Sequence, residues 1–180
     1  GLVNEEGRIV HKGEVPTGAG RPFEEIMKDI ADLINRVIEE SDYKLEDVKA
    51  IGVGSPGLPD DEKGIIVFAN NLNWHNVPVR AELSKYFDLP IRIENDGNTA
   101  GLAEAVAGAC KGVDNSITLT LGTGIGAGIV INGKPYSGSH SIGAELGHMI
   151  LQVDGIQCTC GNKGCWERYA SATALIREGK

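Results

Sequence analysis

Residues 91–131 read IRIENDGNTAGLAEAVAGACKGVDNSITLTLGTGIGAGIVI. Ile91 to Ile93 has the character of a buried strand, and Asn95 to Cys110 that of a helix rich in Ala and Gly. Ser116–Leu121 and Ile125–Ile131 then read as strands on either side of a glycine turn, and Asn132-Gly133 is a strong hairpin signal after them. Upstream of this stretch strands alternate with helices; downstream they come in hairpins. That change predicts an α/β protein with mixed sheets. The small side chains of the 95–110 helix imply close packing against a neighbouring backbone.

Working outward, Phe23, Ile26, Met27, Ile30, Leu33, Ile34, Val37 and Ile38 recur at helical spacing among charged residues, with Pro22 ahead of them. They predict an amphipathic helix with a wide apolar stripe. Strands are expected at Ala50–Val53, stopped by Ser55-Pro56-Gly57, and at Gly64–Ala69, with a short helix over Val79–Phe87. At the start, Gly1-Leu2-Val3 is a strand stub, turned at Asn4-Glu5-Glu6-Gly7 into a strand from Arg8 to Val15. A Cys/Gly loop spans Val153 to Gly164, and a last helix begins near Trp166. A boundary near Lys111–Asp114 divides the chain into residues 1–112 and 113–180.

Composition narrows the class. The 180 residues include 25 Gly, twice the usual share of about 7%, and 17 Lys and Arg against 25 Asp and Glu, a net charge of −8. Hydrophobic residues at 41% and charged residues at 23% describe a globular chain rather than a disordered one. No apolar run approaches the roughly 18 residues of a membrane span. The acidic balance argues against a nucleic-acid surface. No signal-peptide pattern opens the sequence, so a cytoplasmic protein with reduced thiols is expected.

The sharpest motif is Cys158-x-Cys160-x4-Cys165 with His148 upstream, a complete Cys3His set for tetrahedral Zn²⁺. Gly161 and Gly164 let the loop fold tightly. Four protein ligands leave no open position, so the zinc is expected to be structural. Reduced, unligated thiols or one disulfide are the alternative. The run Leu121–Gly128 is neither a dinucleotide fingerprint, because Ala127 takes the last Gly position and no helix follows, nor a P-loop. Lying between strands, it is either a bulged hairpin or a nest of bare N–H groups for phosphate, with Thr123 adding a hydroxyl. Asp96, where a buried strand meets a helix, is either an N-cap or a base for a substrate hydroxyl. Glu145 and Glu167 flank the expected metal, and together with His148 they suit a polyhydroxylated ligand; solvated surface charge is the alternative for either Glu taken alone. Asn70-Asn71 adds amides or only a turn.

Taken together, these segments resemble the ROK family of bacterial sugar kinases and sugar-responsive repressors. Leu121–His148 (LGTGIGAGIVINGKPYSGSHSIGAELGH) is similar to its first signature, Cys158–Glu167 (CTCGNKGCWE) to its second, and Glu94–Asn98 (ENDGN) to its catalytic segment. Ser55-Pro56-Gly57 and Asn71-Leu72-Asn73-Trp74 resemble its sugar-side loops. The resemblance implies an α/β actin-like ATPase (ribonuclease H-like) fold, two lobes with a cleft for substrate. It implies ATP-dependent phosphorylation of a hexose, glucose first, with ATP, Mg²⁺ and structural zinc. Asp96 would be the general base. Gly57, Asn71, Asn95, Asp96, Glu145, His148 and Glu167 would hold the sugar, and Thr123 and Gly124 would face the ATP phosphates. His148, Cys158, Cys160 and Cys165 would hold the metal. A homodimer is implied, with no nucleic-acid or membrane partner.

The family's kinases open on an Asp-x-Gly-Gly-Thr phosphate loop that nothing here matches, and they continue well beyond residue 180. The resemblance therefore implies a chain incomplete at both termini, without ATP turnover as it stands. Two rival readings remain: a sugar-sensing repressor of the same family, and a zinc-stabilised sugar-binding module without catalysis.

Overall fold

The computed structural model describes residues 1–139 and 141–179 and opens on a short antiparallel hairpin, β1 (Leu2–Val3) and β2 (Ile9–His11). Its turn is closed by the Arg8 N–H on Asn4 Oδ1, with Gly7 at φ +76°. β2 is shorter than the sequence suggests because β1 has only two residues to pair with it. The apolar period then becomes α1 (Phe23–Glu39), which buries Ile26, Met27, Ala31, Val37 and Ile38. Glu24 and Glu25 lie in its first turn and Arg36 in its last, each favourable to the helix dipole.

β3 (Ile51–Ser55) is followed by β4 (Leu58–Asp60), β5 (Ile65–Ala69) and β6 (Trp74–Val77), which form an antiparallel sheet in the order β4-β5-β6. β4 and β6 were not anticipated. Pro59 lies within the first, and Asn76 takes φ +51° within the second, so neither reads as a strand locally. α2 (Val79–Leu83) stops before Phe87 because its end tightens into i→i+3 bonds, Lys85 N–H to Glu82 and Tyr86 N–H to Leu83. β7 (Ile91–Asn95) pairs in parallel with β3, from Ile51 opposite Ile91 to Ser55 opposite Asn95. One core gathers α1, α2 and these strands, with Met27, Ile66, Val79, Leu83, Phe87, Ile91 and Ile93 buried in it. Phe23 meets Trp74 edge-on at 5.2 Å between ring centres.

Residues 1–95 make up one compact unit and residues 96–180 a second. The second begins with α3 (Asp96–Ala107), continues through β8 (Ser116–Leu121), β9 (Ile125–Ile131) and β10 (Lys134–Pro135), and ends with α4 (Glu167–Ala170) and α5 (Ala172–Glu178). The three strands form one antiparallel sheet, and Asn132 and Gly133, both at positive φ, make the expected tight turn. α3 supplies the close approach its composition implies: a Cβ on Gly101 would lie 2.7 Å from the Gly128 Cα. This packing places α3 with the second unit, whereas the sequence division at residue 112 follows a change of composition. The helix expected from Trp166 is broken in two at Ser171, whose extended backbone ends α4 and whose Oγ caps α5 by accepting the Ala174 N–H. Among the described residues no helix is long and apolar enough to cross a membrane.

Candidate functional site

In the second unit, Gly147 sits where any side chain would strike the Ile125 carbonyl, so the turn carrying His148 lies tight against the start of β9. Beyond it the chain doubles back on itself. Leu151 N–H bonds to the Gly164 carbonyl at 2.7 Å and Trp166 N–H to that of Met149 at 2.8 Å. Gly161 and Gly164 take φ +96° and +81°, and at Gly164 the Gln152 carbonyl occupies the place of a side chain. Only glycine can make that reversal.

The loop brings His148, Cys158, Cys160 and Cys165 together, with all four ligand atoms within 4.8 Å of one another. Cys158 Sγ is 3.7 Å from His148 Nδ1, and Cys160 Sγ is 3.5 Å from Cys165 Sγ. Tetrahedral zinc with ligands at roughly 2.0–2.3 Å needs donors about 3.3–3.8 Å apart; the two pairs have that spacing, and three thiols with one imidazole are a donor set that suits the ion. Burial, with hydrogen bonds among the thiols, pushes Cys165 up to about 12. Burial also raises Cys158. At Cys160 burial acts upward too, but the Asn162 N–H and the neighbouring thiols outweigh it and the thiol falls below its ordinary value. A divalent cation would deprotonate all three.

Two carboxylates border the cluster. Glu145 Oε2 is 3.9 Å from His148 Nε2, and Glu167 Oε1 is 3.9 Å from His148 Nδ1 while accepting the Cys158 thiol at 3.3 Å. Burial raises the Glu145 carboxyl above its ordinary value; His148 opposes this, and the negative charges of Asp96 and Glu167 add to it. Three carboxylates thus share one field. Gly124 lies beside them, since a Cβ there would stand 2.5 Å from Glu167 Oε2. Thr123 is exposed on the same turn, which is tied down by the Ala172 N–H on the Gly122 carbonyl. Asp96 is exposed at the head of α3, its Oδ1 accepting the Gly97 N–H at 2.9 Å.

In the first unit, Gly57 (φ +90°) turns so closely over β5 that a side chain would strike the Phe68 carbonyl, and its own carbonyl accepts Asn95 Nδ2 at 3.1 Å. Asn71 is exposed on the helical turn after β5. Sequence reading passed over Asp61 and Arg80, whose side chains bind the backbone of β7. Nothing local signals them, because their partners are supplied by the fold.

The ROK family model matches residues 1–180. A glucokinase of Thermotoga maritima is 43% identical over 183 residues, covering 99% of this chain and 56% of that protein. The xylose repressor of Bacillus subtilis is 39% identical over 154 residues, covering 85% of this chain and 40% of the repressor. A ROK family glucokinase from Streptomyces griseus, solved with glucose and AMPPNP, superposes with a TM-score of 0.84 at 38% identity, over 97% of this chain and 54% of its own. That likeness bears out the actin-like ATPase fold class. The chain spans about half the length of the curated relatives it matches.

Proposed function

This chain belongs to the ROK family, and from that premise we propose that it carries the sugar site and catalytic base of an ATP-dependent hexose kinase, with glucose as the first substrate to test. The observation that carries the reading is the placement of Glu145 and Glu167, each 3.9 Å from a ring nitrogen of His148, with Glu167 next to the turn at Gly124. Carboxylates and an imidazole can donate to or accept from each sugar hydroxyl, which acts both ways itself. Gly57, Asn71 and Asn95 are assigned to the same sugar, and Thr123 and Gly124 to the phosphates of MgATP.

Asp96 accepts the proton of the attacking hydroxyl as that oxygen bonds to the γ-phosphorus and the bond to ADP breaks. Phosphoryl transfer depends chiefly on alignment and charge, so the base must above all be held in position. His148, Cys158, Cys160 and Cys165 would hold zinc. When bound, it supplies a cross-link that orders the loop and fixes the imidazole tautomer. A homodimer belongs to the same reading and rests on the family resemblance.

The test is a coupled ATP-phosphorylation assay over a hexose panel, on this chain and on the whole protein. Asp96→Asn is expected to reduce kcat by about 10²–10⁴-fold while sugar affinity stays within about tenfold. Equal loss of affinity and rate would make Asp96 a ligand rather than a base. The likeness to the xylose repressor supports a second reading, sugar sensing, for which the expected result is sugar binding without any turnover.

A further inference from the structure

β7 has two edges, and they are satisfied differently. The Pro90 carbonyl accepts the Ile51 N–H at 2.9 Å, so that parity of backbone groups faces β3. By the alternation of a strand, the Ile91 carbonyl and the Ile93 N–H face the other way. They meet side chains instead of another strand. Arg80 Nε donates to the Ile91 carbonyl at 2.9 Å, and the Ile93 N–H donates to Asp61 Oδ1 at 2.9 Å. Further along the same edge, the Asn95 N–H donates to Glu94 Oε1 at 2.7 Å.

Asp61 and Arg80 are locked to one another. Arg80 Nη2 donates to Asp61 Oδ1 at 2.5 Å and to the Asp61 carbonyl at 2.6 Å, and Arg92, itself on β7, donates to Asp61 Oδ2 at 2.8 Å. The Arg80 N–H is bound by the Gly64 carbonyl, and Gly64 (φ +72°) lies so close that a Cβ there would stand 2.7 Å from Arg80 Cβ. Burial alone would raise the Asp61 carboxyl. The Ile93 N–H and the Arg92 and Arg80 charges outweigh it and keep the group below its ordinary value. Asp61, on the turn between β4 and β5, and Arg80, on α2, therefore supply an acceptor and a donor to backbone groups on the outer edge of β7.

We propose that Asp61 and Arg80 are positioning residues for phosphoryl transfer: they clamp the outer edge of β7 and so fix the height at which it delivers Asn95 and then Asp96. The proposal rests on the kinase reading for its consequence, but not for its geometry. Asn95 Nδ2 reaches the Gly57 carbonyl only while β7 keeps its height. Displacing a base by about 1 Å can cost on the order of a hundredfold in rate.

The experiment uses the whole protein with three variants. Asp61→Ala removes the acceptor for Ile93, Asp61→Asn retains an oxygen for it, and Arg80→Lys keeps the charge but cannot serve Ile91 and Asp61 together. Expected are a fall in kcat of about 10–100-fold in Asp61→Ala with KM for ATP within about twofold, and recovery of most of the rate in Asp61→Asn. Hydrogen exchange at the Ile93 amide should quicken in Asp61→Ala and not in Asp61→Asn, with α1 unaffected in both. An unchanged kcat per folded molecule, or rate losses that merely follow melting temperature across all three, would overturn the proposal. Unchanged exchange at Ile93 in Asp61→Ala would overturn it as well. Arg80→Lys repeats the rate test if Asp61→Ala does not fold. If the wild type phosphorylates no sugar, the kinase reading fails separately, and the exchange result alone decides whether the clamp exists.

Discussion

The two units are stabilised by different physics. The first buries large side chains: Met27, Ile66, Val79 and Leu83 are each no more than 1% exposed, within one continuous core. The second buries mostly small ones, Ala127, Ala144 and Ala174 with Ile125 and Val130, besides Cys158 and Cys165. Its larger apolar residues, such as Ile117 and Leu121 on β8 and Leu175 and Ile176 on α5, are more than half exposed. A buried aliphatic side chain contributes about 1.5–3 kcal/mol, and glycine contributes no such term. The second unit instead gains backbone proximity, between α3 and β9 and within the cysteine loop. Where apolar burial is thin, a metal cross-link has the most to add.

Metal removal is thus the strongest way to break the comparison, since zinc binding in small folded sites contributes on the order of 10–16 kcal/mol. One zinc per chain is expected by metal analysis of reduced protein. Chelation should cost the amides from Leu151 to Trp166 their exchange protection, by about a hundredfold or more, and leave α1 and β5 as they were. Loss in both units together would mean that the metal supports the whole chain. Absence of zinc from reduced protein would end the assignment.

Next in size is Leu83→Ala. Leu83 is fully buried between α2 and the core strands, and truncation leaves a cavity costing about 2–5 kcal/mol. Denaturant unfolding followed by fluorescence in a Trp166→Phe background, which leaves Trp74 as the reporter, should show it. The effect should be the same with and without chelator, because the cysteine loop belongs to the other unit. A loss that grows on chelation would show the two units melting as one.

The same contrast explains what could be read from residue order alone. α1 was legible because a wide apolar stripe at helical period permits little else, and α3 because its Ala and Gly residues make sense only against another backbone. The convergence of the three cysteines was legible because three thiols within eight positions have few other uses. Features that depend on distant partners were not. Pro59 and Asn76 argue locally against the strands they occupy, and the sheet around β5 overrides them. Ser171 interrupts a helix that periodicity would continue. Asp61 finds Ile93 across 32 residues of sequence, which no local pattern can indicate. In the candidate site, the convergence of His148 with the cysteines follows from spacing, whereas roles for Gly57, Asn71 and Asn95 come from the family resemblance.

The smallest expected effect separates two uses of glycine. At Gly52, on β3, a Cβ would meet nothing within 4 Å, and the backbone is not in the left-handed region. Gly52→Ala should therefore be neutral or gain up to about 1 kcal/mol from a stiffer unfolded chain. At Gly101 the same methyl would stand 2.7 Å from the Gly128 Cα and 2.9 Å from its carbonyl carbon. Those are backbone atoms of a paired strand, so they cannot swing aside as the end of a long side chain would. Ala also favours the helix by about 1 kcal/mol, which offsets part of an overpacking cost that, against unyielding backbone, lies in the upper part of its usual range, at about 2–3 kcal/mol. The net expectation for Gly101→Ala is a loss of about 1–2 kcal/mol, with faster exchange along β9 and none along β5. If Gly101→Ala proves as harmless as Gly52→Ala, then α3 and β9 can part without cost, and backbone proximity is not what holds the second unit together.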